Sequence, residues 1–212
     1  MSSRGAVLFD LDGTVVDTVE LIRESHRHAV TSVLGKDLPD DILVARVGQP
    51  LPEQMEAFDP ARVPELLAAY QRWNRTNTAA LIREYDGIAD LLARLKRAGR
   101  PLGVVTSKRA EVVELAWAEL PLRQYFDAIV TADDTSVHKP DPAPVFLALE
   151  RLGSSVDDAI FVGDAPFDLQ AAKAAGVRAV GVTWGFFRRD QLTTEDPEIV
   201  VDTPSELAEV LG

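Results

Sequence analysis

The sequence predicts a doubly wound α/β fold: a mainly parallel, five-stranded, Rossmann-like sheet with an all-helical segment inserted after the first strand. Three observations carry this expectation. Five short apolar runs, each bounded by turn-forming residues, lack a polar face and so read as parallel strands buried on both sides. Segments with helical spacing alternate with the later runs, the pattern of strand-crossover-strand units. The stretch 16–83 breaks the alternation and has no convincing strand.

The first run, Ala6–Phe9, ends abruptly on Asp10. A helix over about Val19–Leu34 follows, closed by Gly35, then the proline-punctuated "LPDDILVARVGQPLPEQMEAFDP" and a long helical pattern over about Ala61–Ile82. Residues 16–83 are therefore expected to form a helical lid, with 1–15 and 84–212 as the sheet domain, because the lid's attachment points flank "DLDGT" and "YDGI". Ile88, Leu91, Leu92 and Leu95 mark a helix ending at Gly99, a C-terminal cap. Leu102–Val105 is the second strand. Val112, Val113, Leu115 and Ala116 form the next helix face, before the third strand at Ala128–Val130. Asp141 and Pro142 read as an N-cap and a proline in the first turn, with Val145, Leu149 and Leu152 leading to Gly153. The fourth strand, Ala159–Val162, precedes a helix carrying Leu169, Ala172 and Ala175 and stopping at Gly176; Ala179–Val182 is the fifth strand.

Composition narrows the function. Apolar residues make up 46% of the 212, enough for a packed core, and the formal net charge is −12. Such an acidic surface repels nucleic acid and anionic membranes, yet tolerates a small phosphorylated substrate in a local positive pocket. Cysteine is absent, which removes disulfides, thiolate nucleophiles and Cys-ligated zinc and favours a cytoplasmic protein. No apolar run is long enough to span a bilayer, and Asp10 interrupts the N-terminus before a signal-peptide core can form. The assembly expected is a monomer or homodimer.

Ligands of open parallel sheets bind at the C-terminal strand ends. Those ends carry Asp10 with Asp12, Thr106 with Ser107, and Asp164 with Asp168; Lys139 lies in "HKPDP" after the third strand. Asp10, Asp164 and Asp168 offer hard oxygen ligands suited to Mg²⁺, whose charge offsets carboxylate repulsion. Thr106 and Lys139 can hold phosphate oxygens. Gly13 lets the chain turn beside a ligand.

In this order, "DLDGT", the threonine of "VVTSK", the lysine of "HKPDP" and "VGDAPFD" resemble the four motifs of the haloacid dehalogenase superfamily, from about Ala6 to Gly185. The resemblance implies a Mg²⁺-dependent enzyme. Asp10 would be the nucleophile that becomes an aspartyl-phosphate and Asp12 the general acid/base, with Thr106 and Lys139 completing the catalytic set. Asp10, the carbonyl of Asp12 and Asp164 would hold the metal, supported by Asp168. Relatives often place a hydroxyl residue after the aspartate of the fourth motif, where this chain has Ala165.

Asp12 favours phosphoryl transfer over dehalogenation. "VGQPLPEQM", "YQRWN", "YDGI" and "TSK" resemble the phosphoglycolate phosphatase-like group, especially its pyrophosphatases. Gly48 is followed by Gln49 and Pro50 rather than a basic residue, which disfavours a sugar-phosphate mutase; that reading and a catalytically silent phosphate-binding regulator stand as alternatives. Substrate contacts are expected from Thr14, Ser107 and Lys108 at the strand ends and from Arg46, Gln49, Trp73, Asn74 and Arg75 in the lid, because guanidinium pairs with anionic oxygens in two-point geometry. Lys36, beside the helix-ending Gly35, reads as a dipole partner. His26 and His28 read as surface or boundary residues, His138 as a loop-shaping residue, and Trp184-Gly185 as packing.

Overall fold

A computed structural model describes residues 5–212. Among these residues the strands are β1 (Val7–Phe9), β2 (Val16–Asp17), β3 (Arg83–Glu84), β4 (Leu102–Val105), β5 (Ala128–Val130), β6 (Ile160–Gly163), β7 (Arg178–Val182) and β8 (Ile199–Val201). The helices are α1 (Val19–Leu34), α2 (Asp40–Val44), α3 (Leu51–Phe58), α4 (Val63–Leu81), α5 (Ile88–Arg97), α6 (Ala110–Glu119), α7 (Ala143–Leu152), α8 (Pro166–Ala175), α9 (Arg189–Thr193) and α10 (Pro204–Leu211).

Six strands form one parallel sheet in the order β5-β4-β1-β6-β7-β8. The expected count of five is corrected by β8, an edge strand whose Ile199 is exposed, so that it is not buried along its whole length as the strands read from the sequence are expected to be. The apolar runs have no polar face because both faces are covered. Val7 and Phe9 enter one apolar cluster with α5, α6 and α10, while Leu8 enters the other with α7 and α8. Side chains alternate across the pleat, so each strand must supply apolar groups at consecutive positions. The helix ends read from glycine are present: Gly35, Gly153 and Gly176 each take the left-handed conformation directly after a helix. Asp141 acts one place earlier than expected. Its Oδ1 accepts from Ala143 N, while Pro142 is the residue that precedes α7.

Strand β1 lies inside the sheet, and the chain adds β4 and β5 on one side of it and β6, β7 and β8 on the other. That switch point gathers the C-terminal ends of β1, β4 and β6. Helices α1 to α4 lie in the stretch between β2 and β3 and have an apolar cluster of their own, formed by Ala29, Met55, Leu66, Ala69 and Tyr70. The stretch does contain strand: β2 and β3 pair antiparallel over two residues each, joining its two ends. Runs of two residues carry no periodicity that a sequence could display.

Candidate active site

The loop after β1 brings Asp10 and Asp12 to one cleft. Gly13, with φ +77°, turns the chain there, and Val15 and Val16 N–H groups both donate to Leu11 O. Asp10, Asp164 and Asp168 each place a carboxylate oxygen within 4.8 Å of the others. All three are buried, at 4%, 1% and 1% exposure, where like charges repel strongly and water cannot screen them.

Lys139 answers part of that charge. Its Nζ donates to Asp10 Oδ1 at 2.7 Å, to Asp168 Oδ1 at 2.6 Å and to Val105 O at 3.2 Å. Burial opposes its charge, but Asp10 and Asp168 outweigh burial and raise its pKa. Burial, then Asp168, pushes Asp10 up to about 7 even against the favourable Lys139. Burial, then Asp168 and Asp10, also raises Asp164 well above the carboxylate range. The cluster has more negative charge than its single lysine satisfies.

Asp168 occupies the first turn of α8, where its Oδ2 accepts from Ala165 N at 3.0 Å. Both its oxygens are thus engaged by protein donors. The Ala165 side chain serves a different contact: a Cβ built on Gly48 would lie 3.1 Å from the Cβ of Ala165 and 3.1 Å from the Phe167 ring. The Gly48 loop docks there, and Ser107 Oγ donates to Gly48 O at 2.6 Å.

Asp12 stands apart from the acidic cluster. Its Oδ1 accepts from Thr18 Oγ1 at 2.7 Å and from Lys108 Nζ. Thr106 is buried and lines the cleft, its Oγ1 accepting from Lys108 N at 3.2 Å. Thr14, expected to touch substrate, is fully buried and does not line the cleft; its Oγ1 donates to Asp164 Oδ1 at 3.1 Å.

The cleft, about 460 Å³, lies between the strand ends and helices α1, α3 and α4. Of the residues from which substrate contacts are expected, Gln49, Asn74, Arg75, Ser107 and Lys108 line it. Arg46 is exposed and outside the lining, and Trp73 lies outside it too, its ring against His28. The sequence reading missed Gln54, Tyr70 and Gln71, which share α3 and α4 with apolar core residues, and Arg109 and Glu111 at the start of α6. A polar residue within a helix gives no local sign of facing a cleft rather than solvent.

It also missed the wall behind Asp164. Phe186 N donates to Asp164 Oδ2 at 2.7 Å, and a Cβ on Gly185 would sit 2.1 Å from that same oxygen. Trp184 is a packing residue, as read: its ring meets Tyr85, and its Nε1 donates to Thr14 O at 3.1 Å. His26, read as surface or boundary, is completely buried beside Phe58 and Tyr70. His28 is exposed, and His138 is half-buried in the cleft lining.

The profile of the family described as "Haloacid dehalogenase-like hydrolase" matches residues 7–182. The chain is 35% identical over 207 residues to "Pyrophosphatase PpaX" of Bacillus velezensis, covering 98% of this chain and 96% of the relative. It is 34% identical over 206 residues to the protein of that name in Anoxybacillus flavithermus, with 97% and 96% covered. A crystal structure of a "predicted phosphatase" from Clostridium acetobutylicum superposes with a TM-score of 0.87 at 30% identity, covering 99% of each chain. A profile matched from β1 to β7, and relatives similar along nearly the whole length, show that this chain belongs to the haloacid dehalogenase-like hydrolases.

Proposed function

We propose that the protein is a Mg²⁺-dependent phosphatase that releases phosphate from pyrophosphate, or from a small phosphorylated acid of the phosphoglycolate kind, through an aspartyl-phosphate on Asp10. The charge of the buried cluster carries this reading. Three carboxylates against the one ammonium of Lys139 leave a formal −2, which a single divalent cation balances. The donors are carboxylate oxygens, which suit Mg²⁺ better than zinc. Asp10, Asp164 and the Asp12 carbonyl would hold the ion, with Asp168 as support through Lys139. When bound, Mg²⁺ supplies charge stabilisation to the phosphoryl oxygens.

The side chains account for the remaining chemistry. Asp10 attacks phosphorus, and the bond from phosphorus to the leaving oxygen breaks as Asp12 passes that oxygen a proton. Asp12 then takes a proton from water, which attacks the phosphorus of the aspartyl-phosphate. The bond to Asp10 breaks, phosphate leaves and the carboxylate is restored. Lys139 fixes the Asp10 carboxylate; Thr18 and Lys108 fix that of Asp12. Thr106 and Lys108 would contact the phosphate. Residues 16–83 act as a lid over a core of 1–15 and 84–212, excluding water during transfer. The name of the PpaX relatives and the compact anion-binding set of Arg75, Gln49 and Asn74 support pyrophosphate as the first substrate to test.

The test is phosphate release from pyrophosphate, phosphoglycolate and glucose 6-phosphate, with Mg²⁺ and with EDTA. The first two should turn over fastest, and EDTA should abolish release until Mg²⁺ is restored. Asp10→Asn, nearly isosteric, should fold yet lose turnover by roughly three orders of magnitude or more. Full activity in chelated buffer, or substantial activity of Asp10→Asn, overturns the mechanism.

A further inference from the structure

Among the described residues, Arg75 is the single charged side chain that helices α1 to α4 and their loops place on the cleft wall. Its Nη2 donates to Glu111 Oε1 at 2.5 Å, on the first turn of α6 in the sheet domain. This is also the one ion pair, among the described residues, that joins the helical stretch to the sheet domain. The other cleft cations are held differently. Lys108 is paired with Asp12, largely buried, and Arg109 with Asp133, which also accepts from Ala110 N; all four groups belong to the sheet domain. Arg75 and Glu111 are each more than half exposed, at 52% and 65%, so water competes for both and their pairing is weak.

We propose that Glu111 is a specificity-determining residue that acts as an exchangeable occupant of Arg75, displaced by the anionic leaving portion of the substrate. A phosphate or carboxylate on that portion offers the guanidinium a two-point partner and expels Glu111. A neutral leaving group has nothing to exchange, and the Arg75–Glu111 pair stays closed across the cleft. Selectivity then arises from competition for Arg75: an anionic leaving portion replaces Glu111 there, and a neutral one does not. The inference rests on the phosphatase reading above, and its binding assay is independent of turnover.

Pyrophosphate and phenyl phosphate are compared by kcat/KM in wild type, Glu111→Gln, Arg75→Ala and the double variant. Glu111→Gln should raise the pyrophosphate-to-phenyl-phosphate ratio by about fivefold, the ceiling for an exposed ion pair. Arg75→Ala should lower the ratio by about tenfold, the loss of a charge-assisted contact. In the Arg75→Ala background, Glu111→Gln should no longer raise it. Calorimetric binding of methylenediphosphonate against methylphosphonate gives the same comparison without chemistry. If pyrophosphate is not hydrolysed but Glu111→Gln still tightens the diphosphonate alone, the exchange stands and the substrate reading falls. An unchanged preference in both assays, or an equal gain with Arg75 absent, overturns the exchange.

Discussion

Asp164 shows how closely one side chain can be prescribed. Thr14 donates to one carboxylate oxygen and Phe186 N–H to the other, while Gly13 and Gly185 approach from opposite loops. A Cβ on Gly185 would stand 2.1 Å from Asp164 Oδ2 and 2.5 Å from Gly13 O, and backbone on both sides leaves little room to yield. Gly185→Ala should therefore displace the carboxylate, at a stability cost of about 1–3 kcal/mol for overpacking. The same change should weaken Mg²⁺ binding by tenfold or more, on the order of one lost ligand contact. Calorimetric Mg²⁺ titration of the variant checks this, and wild-type affinity would show that Asp164 is not held in place by this wall. Trp184 participates less directly: its indole holds Thr14 O, and Thr14 in turn holds Asp164.

At the scale of elements, the helical stretch is a small packed unit attached through two-residue strands, β2 and β3. Its interior is not wholly apolar. His26 is buried with neither ring nitrogen in hydrogen-bond geometry, although Gln54 and the Ile22 carbonyl lie near enough to favour its charged form. Burial dominates and lowers its pKa to about 4 from an ordinary 6.5. The folded pKa is depressed, so the unfolded chain takes up the proton first as pH falls. Stability from this group is full above about pH 6.5, declines toward pH 4 and is level below, a span of about 3 kcal/mol. Urea unfolding between pH 7 and 4.5 should show this decline in wild type and a shallower one in His26→Met, which keeps the volume but cannot titrate. Equal slopes in the two proteins would mean that His26 does not govern the acid response. The stretch meets the start of α8 where Gly48, at φ +102°, lies against Ala165 and Phe167. The absent hydroxyl at position 165 thus coincides with a tight seat for that loop, and the three acidic side chains still converge without it.

Across the whole molecule, the excess negative charge beneath the switch point makes the fold a reporter of its proposed cation. An ion that binds only the folded chain stabilises it by about 2.7 kcal/mol at a hundredfold excess over its Kd. For a domain of this length, that corresponds to a rise in Tm of about 5–10 °C. Scanning calorimetry in Mg²⁺ against EDTA should show the rise in wild type and lose it in Asp164→Ala. Identical transitions in wild type would remove the cation from the proposed mechanism. The layout of the sheet was legible because its causes are local: a strand covered on both faces needs consecutive apolar residues, as at Ala6–Phe9, and a helix stopped at Gly35 or Gly176 needs a residue that tolerates positive φ. The strand-end positions of Asp10, Thr106 and Asp164 followed from the same runs. Only the tertiary structure decided which groups meet. It sets Lys139 between Asp10 and Asp168, closes two glycines from distant loops on Asp164, buries His26 and brings Gln54, Tyr70 and Gln71 to the cleft while leaving Arg46 and Trp73 outside. The physical reason is that periodicity records which positions share a face of an element, whereas the partner of that face depends on how whole elements cross and dock.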